Sequence, residues 1–465
     1  MRVSTILYSF LFMLIVVVII TSNWGCAQIG APTGGPRDSV PPRLMKASPA
    51  QNSTNFKGNK VTLTFDEYVV LDDIQNNVII SPLQKSIPVI DYKLRTVTVK
   101  LKDSLLPNTT YSINFGNAIK DNNEGNPIRN FTYVFSTGNS IDSLEQSGKV
   151  ILAETGKTDS TFFAMLYRNA DDSAVQKRKP DYIAKIKGDG SFIFKNLSAG
   201  NYKIYALKDG DGGKTYNSKG EPFAFADHDI TIGKNNEAII LYASAEEKDT
   251  RGLPTLGLTK TPIPKVFRYT TSLTSQEQEL TDGLEISFNR SLKKFDPEKI
   301  ILTDTNYKPI APVQFSIDSS KKKIMLTAKW EEGAKYKLII NNGAVTDSAG
   351  NNLPKSDTIR FTVKKVSDYG NVVLRFSNLD ISKHPVLQFV VGDEVKFSYP
   401  LTTLEWSKKI FKPGEYEMRI LYDDNKNGKW DPGHYSKKIQ PEKAVTLPQK
   451  LSVKANWDNE QDIKL

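Results

Sequence analysis

The sequence predicts an all-β protein: a tandem array of four β-sandwich modules in the order A-B-A-B, preceded by a signal peptide. Three observations predict it. Short segments alternate apolar and polar residues with period two, the pattern of half-buried strands. Turn residues recur roughly every 8–12 positions, the spacing of sandwich strands. Two different internal repeats interleave along the chain, each about as long as one small domain. No long stretch of helical periodicity interrupts the chain after the signal peptide.

Composition narrows the function classes. The chain has 465 residues, 39% of them hydrophobic and 25% charged. That is enough apolar material for several packed cores, and too little for a polytopic membrane protein. One cysteine excludes an intramolecular disulfide. Three histidines, His228, His384 and His434, leave little for His-based catalysis or a zinc site. The net charge is +10, but the basic clusters Lys177-Arg178-Lys179, Lys321-Lys322-Lys323 and Lys437-Lys438 are short and scattered. They read as solvated strand edges and turns, where lysine also discourages edge-to-edge pairing. No aromatic-interleaved basic motif points to nucleic acid, and no nucleic-acid partner is expected.

Residues 1–25 read as a targeting segment. Arg2 supplies the positive start, and Ile6 to Ile20 is an apolar run shorter than the ~20 residues of a spanning helix. The segment ends Asn23-Trp24-Gly25-Cys26. A Gly directly before the single Cys resembles a bacterial lipobox. That resemblance implies cleavage before Cys26, a diacylglycerol on its thiol, and a lipid-anchored place in the cell envelope, at the outer membrane. The bulky Trp24 and the absence of Leu at Asn23 depart from the usual motif. Residues 26–42, rich in Gly and Pro, form a tether that holds folded modules off the bilayer.

The A repeat is carried by two strands and a turn. Val61-Thr-Leu-Thr-Phe65 matches Leu284-Glu-Ile-Ser-Phe288, and the strand of Tyr111 matches that of Tyr336. Each pair is followed by a turn, Asp121 through Gly125-Asn126 and Asp347-Ser-Ala-Gly350-Asn351. The modules span 43–138 and 265–365. The pattern resembles the SbsA-type bacterial Ig-like domain first described in S-layer proteins, although the first copy departs at its turn. The resemblance implies spacing and binding surfaces and no catalysis. The tyrosines read as packing residues.

The B repeat fills 146–243 and 366–465. Gly148-Lys-Val-Ile-Leu152 matches Gly370-Asn-Val-Val-Leu374, and Gly200-Asn-Tyr202 through Asp209 matches Gly414-Glu-Tyr416 through Asp423 at a constant offset of 214 residues. In the first copy Gly188-Asp-Gly-Ser-Phe192 adds a turn and an alternating strand. This string resembles the transthyretin-like (prealbumin-like) domain; the fourth module lacks that turn. Residues 244–264 read as a linker. A linear array of this kind has few contacts crossing its boundaries, so truncation after Val363 or Lys364 should leave three folded modules.

The sharpest chemical signal is Asp423-Asp424-Asn425-Lys426-Asn427-Gly428-Lys429-Trp430-Asp431. Asp423, Asn425, Asn427 and Asp431 stand at positions 1, 3, 5 and 9 of an EF-hand-type loop with Gly at 6. Such alternation lets hard oxygens converge on calcium, and structural calcium is the one cofactor the sequence offers. His434 at position 12 excludes a full EF-hand, and an Asn-Gly turn accounts for the same string. The equivalent loop keeps Asp209 and Asp211, followed by Asn217 and Glu221-Pro222. Any ion there would brace a loop.

Asp66-Glu67 and Asp171-Asp172 are paired carboxylates, but adjacent strand residues point to opposite faces. No nucleophile elbow, zincin motif or phosphate loop is present, and no enzyme is expected. Asp-Ser/Thr pairs at Ser39, Ser104, Ser143, Ser160, Ser173, Ser348 and Thr358 resemble the O-glycosylation consensus of exported Bacteroidota proteins. The reading is a non-enzymatic envelope lipoprotein acting as a structural or binding module, with envelope proteins or glycans as partners. Its rival is a carbohydrate-binding accessory of an uptake system, which needs two or more of Trp330, Trp406, Trp430 and Trp457 coplanar on one face.

Overall fold

The computed structural model describes residues 3–22, 37–233, 236–247 and 266–465. Cys26, most of the tether, and residues 248–264 of the predicted linker lie outside the described residues. The apolar segment near the N-terminus is one helix, Val3–Ser22. Everything else described is strand, turn and short helical caps, so the protein is all-β, built of tandem sandwich modules. The chain forms two compact units. One comprises residues up to 137 apart from 81–85 and 107–111; those two segments and residues 138–465 form the other.

The first A module pairs Leu44–Ser48, Lys60–Phe65, Thr96–Lys100 and Val89–Lys93 in that order, and Ile79–Ser81, Thr110–Gly116 and Phe131–Ser136 form a second sheet. The alternation of Lys60–Phe65 sends Val61, Leu63 and Phe65 into the core at no more than 1% exposure, while the threonines between them stay half-open. The second A module repeats this order with Tyr269–Thr271, Leu284–Phe288, Lys323–Ala328 and Val313–Ile317. Its other sheet runs Glu277–Gln278, Asp357–Val363, Lys335–Ile340 and Ile300–Thr303. In each copy a short ribbon ends at the turn aspartate: Val69–Leu71 with Ile119–Asp121, and Leu292–Phe295 with Val345–Asp347.

The two B modules also share one topology. Leu144–Leu152 lies between Ser191–Leu197 and Ile239–Ala243, antiparallel to the former and parallel to the latter. Gly370–Ser377 lies in the same way between Glu405–Phe411 and Asp458–Lys464. The fourth module therefore fills the place of the missing Gly-Asp-Gly-Ser-Phe segment with its own strand. The glycine in each first strand answers to close approach. A Cβ on Gly148 would lie 2.5 Å from the Ile239 carbonyl oxygen, and one on Gly370 2.5 Å from that of Lys454. Each copy also carries a tyrosine whose hydroxyl donates to the carbonyl four residues back: Tyr202 to Ser198 and Tyr416 to Lys412, both at 3.0 Å.

Within the 138–465 unit the modules are not strung end to end. Phe163–Arg168 and Gly200–Leu207 are buried on both faces. Ala164, Leu166, Ile204 and Ala206 enter the sandwich core, while Met165, Tyr167, Tyr205 and Leu207 enter a second cluster outside it. That cluster is closed by Tyr435 of the fourth module, which is 5% exposed. The premise that few contacts cross the module boundaries does not hold here: truncation at Val363 or Lys364 removes this residue and uncovers the second module's outer cluster. The first residues of the predicted linker are structured too. Ser244 exchanges backbone hydrogen bonds with Phe223, and Glu246 accepts from the Tyr435 backbone N–H at 2.8 Å.

Candidate functional site

The turn aspartates that carry the A repeat are structural anchors. Asp347 is fully buried; its carboxylate accepts the N–H groups of Ala349 and Asn351 and a 2.7 Å contact from Arg290. Asp121 accepts four backbone N–H groups instead, from Asn123 through Asn126. The position matching Arg290 is Glu67, whose carboxyl is pushed up by burial and then by the charges of Asp121 and Asp66. The longer amide nest replaces the missing arginine, which explains why the first copy departs from the second at this turn.

Burial disfavours the charged form of Asp347, but hydrogen bonds from Asn351, Arg290 and Ala349 outweigh it and hold its carboxyl far below the usual range. A carboxyl depressed in the folded state contributes stability that is complete above its unfolded pKa and is lost as pH falls toward the folded value. Asp347→Asn should therefore lower the melting temperature of the second A module at pH 7 by roughly 4–8 °C. Its deficit should shrink as the wild type is titrated from pH 5 downward. Equal deficits at pH 7 and pH 3 would refute the role of the charge.

Both cation-type loops sit between strands of the same B sheet. In the fourth module, Asp423 is 2% exposed and accepts the N–H groups of Asn427 and Gly428. Asp431 accepts the side-chain amides of Asn425 and Asn427 at 2.5 and 2.6 Å. Behind them lies Glu442, a residue sequence reasoning missed. It is buried and accepts the N–H of Asp424 on one oxygen and of Asp431 on the other, both at 3.0 Å. This loop satisfies its carboxylates from its own donors.

The second module's loop differs. Asp209 accepts the N–H groups of Gly212 and Lys214, and Asp211 those of Gly213 and the Asn217 side chain. Asp209, Asp211 and Glu221 each place one carboxylate oxygen within 4.8 Å of the others. Glu221 is 5% exposed, and burial together with the charges of Asp211 and Asp209 pushes its carboxyl up. The sequence placed Glu221 after this loop; only the fold brings it back beside the two aspartates.

Around these loops the two B modules meet. The Tyr435 ring packs edge-on against Tyr205, Phe223 and Phe225, with centroids 5.8, 5.1 and 5.2 Å away. Its hydroxyl donates to the Asp172 carbonyl at 2.6 Å and lies 3.0 Å from that of Tyr205. Lys438 pairs with Asp172, and Ala444 N–H donates to the Ala153 carbonyl. Glu417 holds the buried Arg419 guanidinium at 2.8 and 3.0 Å and pairs with Lys157 of the second module.

The tryptophans do not gather into one platform. Trp330 donates to the Asp282 carbonyl and packs on Tyr336 and Phe361, Trp406 packs on Phe389 and Tyr399, and Trp430 donates to the Glu442 carbonyl. Of these four only Trp457 is mainly open, at 61%. Ser39, Ser104, Ser143, Ser160, Ser348 and Thr358 are exposed, while Ser173 is half-buried and bonded to Asp171. Asp66 accepts the Arg43 N–H, so it is committed to a backbone contact.

No curated relative matches the chain. Among solved structures, it is similar to a segment of Escherichia coli alpha-2-macroglobulin spanning domains MG0-NIE-MG1, at 14% identity and TM-score 0.20, over 39% of this chain and 72% of that one. It is similar to BcpA, the major pilin subunit of Bacillus cereus, at 12% and 0.16, over 69% and 99%. It is also similar to the N-terminal part of the bacterial S-layer protein SbsC, at 14% and 0.16, over 43% and 44%. Likeness of this degree carries no argument about what the chain does. The family profile of the bacterial Ig-like domain matches residues 38–137 and 260–363, the spans of the two A modules.

Proposed function

We propose that this protein is a non-enzymatic cell-envelope lipoprotein, anchored through Cys26, whose sandwich modules form a structural or binding element for envelope proteins or glycans. The observation that carries the reading is the pair of bacterial Ig-like domains at 38–137 and 260–363. Their buried polar anchors, Asp121 and Asp347, are spent on bracing turns. A Gly before the single Cys supports the anchor, and the Gly/Pro-rich tether after it supports presentation of the modules away from the bilayer.

Metabolic labelling with a fatty-acid probe should tag the wild type, and Cys26→Ala should abolish both the label and membrane retention. Equal labelling of the mutant would overturn the anchor. Cell fractionation with surface protease shaving, expected to recover the protein in the outer membrane, tests the location. Cross-linking in intact cells, expected to capture an envelope protein or glycan, tests the binding role.

A further inference from the structure

The loop 208–222 joins the strands Gly200–Leu207 and Phe223–Phe225 of the second module. Three carboxylates converge in it, and one of them is anomalous. Glu221 is 5% exposed, and its Oε2 is buried without a hydrogen-bond partner; its Oε1 receives a long contact, 3.4 Å from the Gly210 N–H. An unpaired buried carboxylate oxygen is expensive. One carboxylate oxygen of Glu221 lies within 4.8 Å of one oxygen each of Asp209, whose side chain is 3% exposed, and Asp211. The nearby cation, Lys214, stands 3.7 Å from Asp209 Oδ2. Repulsion among three clustered carboxylates leaves the loop short of positive charge.

We propose that Asp209, Asp211 and Glu221 bind calcium. Oxygens around one ion at 2.3–2.6 Å are separated by at most about twice that distance, and the three carboxylate oxygens lie within 4.8 Å of one another. An all-oxygen, triply acidic set on a loop suits a hard cation, and calcium tolerates irregular loop geometry better than magnesium. Glu221, whose Oε2 no protein donor satisfies, supplies one ligand. Backbone carbonyls and water complete the shell. The ion ties the end of one strand to the start of the next. Those strands present Tyr205 and Phe223 to Tyr435, so calcium also firms the seat of the fourth module.

The test is calcium titration of the full chain in detergent, read as melting temperature and as heat of binding. At 100-fold over Kd, calcium should raise the melting temperature by about 5–10 °C, and chelator should reverse it. Glu221→Gln should lose the rise, while its calcium-free melting temperature equals or exceeds the wild type's, because a repelling buried charge is gone. Asp431→Asn, in the other loop, should keep the rise. If Glu221→Gln does not fold, the exposed Asp211→Asn gives the same reading. A wild type indifferent to calcium, a shift retained in Glu221→Gln, or an equal response to magnesium would overturn the proposal.

Discussion

Tyr435→Ala loosens the fourth module's contact with the second and destabilises the 138–465 unit by about 3–5 kcal/mol, the range for removing a buried aromatic ring. The loss is large because the ring closes a cluster of Met165, Tyr205, Phe223 and Phe225, and no other aromatic of the fourth module enters it. Tyr435→Phe keeps the ring and loses only the hydroxyl contacts to Asp172 and Tyr205, so it should cost about 1–2 kcal/mol. The measurement is thermal melting with a dye for exposed apolar surface. Tyr435→Ala should melt in two steps and bind dye at 25 °C. Truncation after Lys364 should do the same, with the second module the first to melt. A truncated chain as stable and as dye-free as the parent would show that the contact carries no energy.

The second large effect is expected at Glu417. Arg419 is 1% exposed, and its guanidinium is held by Glu417. Removing one partner of a buried pair strands the other charge, so Glu417→Gln should cost about 3–5 kcal/mol. Glu417→Gln with Arg419→Met removes both charges and should recover most of that loss. Burial raises the Glu417 carboxyl, but hydrogen bonds from Arg419 and Lys157 outweigh it and hold the group below its ordinary range. Its contribution is therefore complete above the unfolded pKa and fades as pH falls through the folded one. Denaturant melts at pH 7 and pH 3 should show the wild type losing stability across that window and the double variant losing less. A double variant no better than the single one would refute the pairing.

What the sequence made legible follows from what is local. Val61 to Phe65 announces its strand because one face is buried and the other is wet, and its copy at Leu284 to Phe288 confirms the module. Phe163–Arg168 reads less clearly because it is buried on both faces, so the alternation that identifies a core face is lost. Nothing near Tyr435 marks it as the residue that closes another module. It sits in a single helical turn, and its partners lie about half the chain away. The cation loops show the same division. Asp209 and Asp211, like Asp423 and Asp431, follow a short spacing rule and could be named. Glu221 and Glu442 could not be assigned their roles, because a carboxylate's worth there depends on burial. That burial arises from strands that close behind the loop.

The docking of Tyr435 also orders events in time. Synthesis proceeds at about 5–20 residues per second and modules fold as they emerge. The second module's strands end at Ala243, yet the side chain that covers its outer aromatic face follows only at residue 435. For roughly 10–40 s the nascent chain therefore carries a folded sandwich with Tyr205, Phe223 and Phe225 uncovered. Until its last module arrives, the chain exposes that aromatic surface to solvent and to other chains.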